Sequence, residues 1–451
     1  MTDPGVERPP NGAASDSPLV LVFNAGSSSL KGSVVTVRAV DGRGAAASLA
    51  AEAAHPRPAV ASVELDWGDD ASRGPDAQEG VGAALANLEH QGVQPGALAA
   101  AAHRVVHGGE AFREAILVDD EVLGRIESLA PLAPLHNRVA VAVIRAARMS
   151  LPAIPHLAAF DTAFHAGLPE PAWRYPLPAS WDGWGIRRYG FHGLSVAWAA
   201  ARAAALLERP ASELAVVVAH LGSGCSVTAV LGGRSVATSM GLTPLEGLMM
   251  GTRAGSIDPG ILLAVLRERR RSLDGLAEDL DHQAGLVGVA GRRGGLRELE
   301  AAAALGDARA GLAIDMFVDR AAAGIAAIAT ALPRLDALVF TGGIGEHAGA
   351  VRARIVERLG VIGLPEVEAG ETGADRILAV PESPARSDGA TARARGRDRG
   401  SALRARGRDW GSAARARGRD PGPVVLRVAA REDVVAAVEA MAVLRRGPEP
   451  E

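Results

Sequence analysis

The run Leu19 to Phe23 is continuously apolar and ends in Asn24-Ala25-Gly26-Ser27-Ser28-Ser29, after which Lys31 to Val37 alternates and is rich in β-branched residues. That is the pattern of a buried strand, a tight turn and a returning strand. The same design recurs in the second half. Leu214 to Ala219 is apolar, His220-Leu221-Gly222-Ser223-Gly224-Cys225-Ser226 turns, and Val227 to Leu231 returns. A third variant runs from Ala337 to Phe340 into Thr341-Gly342-Gly343-Ile344-Gly345-Glu346, and the residues after Glu346 have helical spacing. One unit written once in each half predicts two related α/β domains facing each other. The alanine-rich stretches Val139–Met149, Ala197–Leu207 and Ala310–Leu332 have the spacing of helices that would cover the sheets.

A chain of 451 residues is long for a single core, which also favours two domains. Hydrophobic residues make up 48% but aromatics only 3%, so the cores must be built from Ala, Val, Leu and Ile. The net charge of −4 gives no reason to expect nucleic acid or a membrane surface as the main partner. Cys225 is the sole cysteine, so no disulfide can close within the chain and a reducing cytoplasm is expected. Residues 1–17 are polar, lack the basic start and apolar run of a signal peptide, and are expected to be a disordered leader. Near the other end Arg393-Ala-Arg-Gly-Arg-Asp398 recurs at 404–409 and 415–420, a period of 11 residues without an apolar seam. Residues 383–423 therefore read as an Arg-rich, low-complexity insert, followed by a strand at Val424–Val428 and an amphipathic helix at Glu432–Leu444. Of 48 basic residues only Lys31 is a lysine, all others being Arg. A lysine kept against such drift suits a site that needs a compact ammonium on a phosphate.

Glycines let backbone N–H groups converge on an anion and serines add rotatable donors, so the paired turns suit phosphates held between domains. They follow neither the P-loop spacing nor the dinucleotide fingerprint. Phosphoryl transfer also needs cations around the moving group and carboxylates for a metal. Short stretches rich in His, Arg and Gly offer them: His103–Gly109, Phe160–His165, Arg187–Gly193 and Gly251–Arg253. The histidine spacings do not make a zinc site, and Cys225 in an apolar strand reads as core.

These residues stand in an ordered set of motifs. The chain carries N-A-G-S-S-S-L-K at Asn24–Lys31, H-R-V-V-H-G-G at His103–Gly109, A-P-L-H-N at Ala133–Asn137, F-D-T-A-F-H at Phe160–His165, R-R-Y-G-F-H-G at Arg187–Gly193 and G-T-R-x-G-x-I-D-P at Gly251–Pro259. In this it resembles the acetokinase family, the acetate and propionate kinases, from about Leu19 to Leu444 outside the insert. The resemblance implies an α/β fold of the actin, sugar-kinase and Hsp70 type, with a duplicated core and an interdomain cleft. It implies an N-terminal domain over 18–161 completed by a C-terminal helix at 431–446, and a nucleotide-side domain over 162–382 and 424–430. The implied reaction is reversible phosphoryl transfer between ATP and acetate, giving acetyl phosphate and ADP. It would depend on Mg²⁺, with Mn²⁺ as a substitute, and the enzyme would be a cytoplasmic homodimer. By the same resemblance Asp161, His192 and Arg253 would be catalytic, and Arg104 would clamp the carboxylate. Val106, Leu135, Phe191 and Pro244 would form the apolar pocket for the methyl group. Lys31 and the loop His220, Leu221, Gly222, Ser223, Gly224 would hold phosphates. Gly295, Leu296 and Arg297, with Gly343, Ile344, Gly345, Glu346 and His347, would lie on the adenosine side, and Asn24 and Glu432 would serve the metal.

Four positions depart from the family pattern. Ser223 replaces an Asn, Gly295 a carboxylate expected on the ribose, and His347 an Asn. The tail motif P-[ST]-[ND]-E-E reads Ala429-Ala430-Arg431-Glu432-Asp433. Three of these touch the nucleotide side and one the metal, so relaxed nucleotide selectivity is expected beside an intact carboxylate site. Propionate preference, a donor other than ATP such as pyrophosphate, and a decayed relative with a binding role are the alternatives that the residues leave open.

Overall fold

The computed structural model describes residues 17–26, 29–38, 44–66, 76–134, 136–269, 271–370, 373–381 and 422–446. Residues 1–16 of the leader expected at 1–17, Leu135, and residues 383–421 of the insert expected at 383–423 lie outside the described residues.

Among the described residues, two six-stranded sheets carry the fold. The first contains β1 (Leu19–Ala25), β2 (Ser29–Thr36), β3 (Ala61–Asp66), β4 (Leu98–Val105), β5 (Ile116–Leu117) and β6 (His156–Phe160). The second contains β7 (Ala215–Leu221), β8 (Cys225–Leu231), β9 (Arg234–Thr238), β10 (Ala337–Thr341), β11 (Arg376–Ala379) and β12 (Val424–Arg427). Their orders are β3-β2-β1-β4-β6-β5 and β9-β8-β7-β10-β12-β11, so the strands correspond one for one in chain order. Each sheet is an antiparallel three-strand meander, two further strands parallel to its first strand, and a short antiparallel edge. The predicted duplication is thus present down to the direction of each strand.

Alternation along the strands explains the layers, because successive side chains point to opposite faces. Val20 and Val22 of β1, Val216 and Val218 of β7, Val339 of β10 and Leu426 of β12 all join one core between the sheets. Their neighbours Leu21 and Phe23 point into an outer core of the first sheet, and Val217, Leu338 and Phe340 into an outer core of the second. The middle layer holds the helices Gly193–Leu206 and Glu432–Arg446, with Trp198 almost wholly buried. Alanines at 197, 199, 200, 203 and 204 keep the first of these helices slim enough to lie between the sheets. Cutting Trp198 to Ala would cost about 3–5 kcal/mol as a cavity in this shared layer.

Helix starts follow local chemistry. Asp76, Asp119, Asp258, Ser272 and Asp307 each accept hydrogen bonds from backbone N–H groups of the first turn they precede. Both sheets aim the carboxyl ends of their parallel strands toward one cleft, the usual place for ligands in open α/β folds. Arg104 near the end of β4, Asp161 just after β6 and His220 in β7 all stand there. No described helix is long and apolar enough to cross a membrane.

Candidate active site

The cleft encloses about 720 Å³ and is walled by both glycine/serine hairpins: Asn24, Gly26, Ser29 and Lys31 from one, Gly222, Ser223 and Gly224 from the other. Strand register explains why the first motif reads as it does. Asn24 on β1 is the direct partner of Lys31 on β2, so the turn brings the two side by side. Ser29, Lys31 and Ser33 line the cleft from one strand at every second position. Lys31 is half-exposed and meets Glu64 of β3 at 2.9 Å, an exposed pair of small energetic value that a phosphate could displace.

Arg104 is the centre of the arrangement. Its Nε and Nη2 donate to the two carboxylate oxygens of Asp161 at 3.0 and 2.6 Å, and its Nη1 donates to Asn24 Oδ1 at 3.0 Å. The same Nη1 lies 3.3 Å from Glu432 Oε2. Glu432 also accepts from Ser195 Oγ at 2.5 Å and from Asn24 Nδ2 at 3.0 Å. Burial raises the pKa of Asp161, which is 1% exposed, while the Arg104 guanidinium draws it down. Glu432 is held below the usual carboxylate range: burial pushes it up, but Arg104 and the other donors outweigh that. The guanidinium is thus fixed by two carboxylates and an amide before any substrate arrives.

Across the cleft His192 adopts left-handed backbone angles, φ 60° and ψ 23°, uncommon for a residue with a side chain. This sets it at the head of the helix Gly193–Leu206, with Nδ1 3.0 Å from Ser226 Oγ and its ring stacked on His220 at 4.2 Å. Burial first, then the charges of His220, Arg104 and Arg253, keep its pKa well below the usual imidazole value, so it is neutral at pH 7. A Cβ at position 224 would sit 3.0 Å from Arg253 Nη2 and 3.1 Å from His192 Nε2, which explains the glycine there. Arg253 Nη1 donates to the Pro244 carbonyl at 2.8 Å. Val106, Phe191 and Pro244 give the cleft an apolar corner beside Arg253.

The structure therefore brings together Asn24, Lys31, Arg104, Val106, Asp161, Phe191, His192, His220, Gly222, Ser223, Gly224, Pro244, Arg253, Gly343, Glu346 and Glu432 around one cavity. Leu221 is the buried end of β7 and belongs to the core. Ile344, Gly345 and His347 lie in the short helix Gly342–His347 away from the cavity wall. Gly295, Leu296 and Arg297 open the helix Leu296–Ala304 outside the cavity. Sequence reasoning passed over His136, Ser33, Arg431 and Asp433, which line the cleft. The period-two face of β2 carried the signal for Ser33, whereas His136 had only its place in the A-P-L-H-N motif.

The acetokinase family model matches residues 19–386. The chain belongs to the acetokinase family. Among its relatives, the acetate kinase of Deinococcus radiodurans is 44% identical, covering 81% of this chain and 92% of that one. The propionate kinase of Klebsiella pneumoniae is 43% identical over 77% of this chain and 86% of that one. Among solved structures, Porphyromonas gingivalis acetate kinase superposes with a TM-score of 0.73 at 28% identity, covering 95% of this chain and all of that one. That superposition accords with the two-sheet architecture of the described residues of this acetokinase.

Proposed function

We propose that this chain is an acetate kinase that transfers a phosphoryl group between ATP and acetate, giving acetyl phosphate and ADP. The observation that carries the reading is Arg104, braced by Asp161, Asn24 and Glu432 beside an apolar corner and facing His192 and Arg253. A carboxylate is ionised at pH 7, so its oxygen can attack the γ-phosphorus in line with no general base. Arg104 orients it. Arg253 and His192 receive the charge that develops on the transferring group, and the nearby phosphate raises the proton affinity of His192. The Gly222–Gly224 turn and Lys31 hold the donor phosphates.

Asn24 and Glu432 fit a Mg²⁺ ion, with Mn²⁺ as substitute, because such ions are bound by one or two carboxylates plus substrate phosphates. Among the described residues no group of three or more His, Cys, Asp or Glu could hold a metal alone, so phosphate oxygens and water would complete the shell. The ion would neutralise phosphate charge.

Val106, Phe191 and Pro244, with Leu135 added by the family resemblance, would bound the methyl pocket. One methylene is worth only about 1–3 kcal/mol in such a pocket, so propionate is a second substrate. We also infer a division into an N-terminal domain completed by the last helix and a nucleotide-side domain, a reading that the two separate sheets support. A cytoplasmic homodimer is the assembly we infer. The helices Pro259–Glu268 and Leu273–His282 contain no buried residue, yet display Ile261, Leu263 and Leu273 to solvent. Trapping acyl phosphate with hydroxylamine, from acetate, ATP and Mg²⁺, tests the assignment; absence of hydroxamate would sink it.

A further inference from the structure

Pro244 and Arg253 reach the cleft from one loop, residues 239–256, that comes after β9 and contains no strand or helix. A loop that must place a guanidinium and a pocket wall needs a support of its own. The support lies behind it. Glu246 accepts hydrogen bonds on both carboxylate oxygens, from Arg188 Nη2 at 2.7 Å on one and from the Tyr175 hydroxyl on the other. Tyr175 Oη in turn accepts from the Leu242 N–H at 3.1 Å, and Arg188 Nη1 donates to the carbonyls of Ser239 and Met240 at 2.8 and 3.0 Å. The Arg188 guanidinium also lies over the Tyr175 ring, 5.3 Å from its centre. A side chain at Gly241 would collide with both Glu246 Oε2 and Tyr175 Oη, so the turn is built around this contact.

The supported segment runs directly to the site. Leu242 O accepts from His107 Nε2 at 3.1 Å, and two residues on, Pro244 O accepts from Arg253. Resting on the kinase reading above, we infer that Glu246, Tyr175 and Arg188 form a clamp that positions Pro244 and Arg253, with Glu246 as its keystone. The clamp fixes how deep the acyl pocket is and where the guanidinium meets the acyl phosphate. It thereby sets chain-length selectivity without touching substrate. Arg188 and Glu246 are largely shielded, at 17% and 34% side-chain exposure, so their pairing is not that of two free surface charges.

The test compares the full chain with Glu246→Gln, Tyr175→Phe and the double variant. Hydroxamate formation is measured from acetate, propionate and butyrate at saturating ATP, alongside thermal melting. Glu246→Gln should raise the acetate KM about tenfold or more while leaving the ATP KM unchanged, as displaced positioning groups do. The propionate-to-acetate ratio of kcat/KM should rise about fivefold. Because both residues act through one contact, the double variant should be little worse than Glu246→Gln alone. A folded Glu246→Gln with unchanged acetate KM and chain-length profile would overturn the clamp. So would equal losses on acetate and ATP, which mark general damage. A parent chain that forms no hydroxamate would overturn the kinase reading and this inference with it.

Discussion

Asn24 and Glu432 stand 408 residues apart in the chain, and the Nδ2 of one donates a 3.0 Å hydrogen bond to Oε2 of the other. The contact ties the end of β1 to the first residue of the last helix, at the point where the tail motif departs most from the family. Glu432 has survived inside that altered stretch, and with it the whole set of partners it needs.

Glu432→Ala should leave Arg104 Nη1 and Asn24 Nδ2 without their shared acceptor. We expect activity to fall by two orders of magnitude or more, about 3 kcal/mol of transition-state stabilisation, and the Mg²⁺ concentration for half-maximal rate to rise. Activity measured across a Mg²⁺ titration checks this. An unchanged Mg²⁺ dependence would remove Glu432 from the metal site.

Arg104→Ala separates binding from folding. Asp161 is 1% exposed, and stripping its bidentate partner leaves a buried carboxylate uncompensated, a loss of roughly 3–5 kcal/mol. Urea denaturation should show that loss, and the acetate KM should rise far more than the ATP KM. Arg104→Ala with full activity would show the site assignment to be wrong.

Two buried histidines predict the acid limb of stability. His107 Nε2 donates to Leu242 O and its Nδ1 accepts from Gly109 N–H at 3.0 Å. His165 Nε2 donates to Phe191 O at 3.1 Å and its Nδ1 faces Ser235 Oγ at 2.8 Å. Each is therefore held neutral, and burial lowers each from the usual 6.5 to about 4. A folded pKa below the unfolded one means that the unfolded chain binds more protons between those values, so stability rises with pH there. The stabilisation is complete above pH 6.5 and is lost as pH falls toward 4, on the order of 3 kcal/mol per histidine. Urea midpoints at pH 7.5, 6 and 5 should fall in that order. A profile flat over this range would contradict the assignment of both rings as neutral.

Gly295 caps the helix Leu296–Ala304 without a side-chain acceptor. Gly295→Asp restores the carboxylate that the family pattern carries, and as an N-cap it should change stability by only a few tenths of a kcal/mol. Nucleotide behaviour is the informative readout. The parent should discriminate poorly between ATP and GTP; if the ribose reaches past the cavity wall to position 295, the variant should lower the ATP KM about tenfold or more, a gain of about 1.5–3 kcal/mol from a hydrogen bond to a charged group. A parent with a tight ATP preference and a micromolar KM would refute the relaxed-selectivity reading. Glu298 must move to admit the new side chain, since its Oε2 lies 3.0 Å from where that Cβ would be.

Much of this was legible in the residues. Lys31–Val37 alternates because β2 is half covered, and the second unit at 214–231 forms β7 and β8, each within a residue or two of the expected ends. The apolar period of the final helix stops at Leu444, but the helix runs to Arg446, the end that the family resemblance implied, since its last turn is polar and leaves no apolar mark. The edge strands Ile116–Leu117 and Arg376–Ala379 escape a sequence reading because so few residues carry no period. In the site, the motif residues are legible and their supports are not. Tyr175, Arg188 and Glu246 meet from separate segments of the chain, and no local pattern joins a tyrosine to a distant glutamate. Lys31 points to phosphate by its rarity, but its present partner Glu64 is fixed by the register of β2 on β3.

The chain passes from the first sheet toward the second after Asp161 and returns after β12. The helix Gly193–Leu206, headed by His192, and the helix that begins at Glu432 lie in the layer between the sheets. The Ser195–Glu432 hydrogen bond joins the two helices where their N-termini meet the cleft. Both walls of the cleft therefore rest on one shared layer, and a substitution that shifts either middle-layer helix should disturb both walls at once.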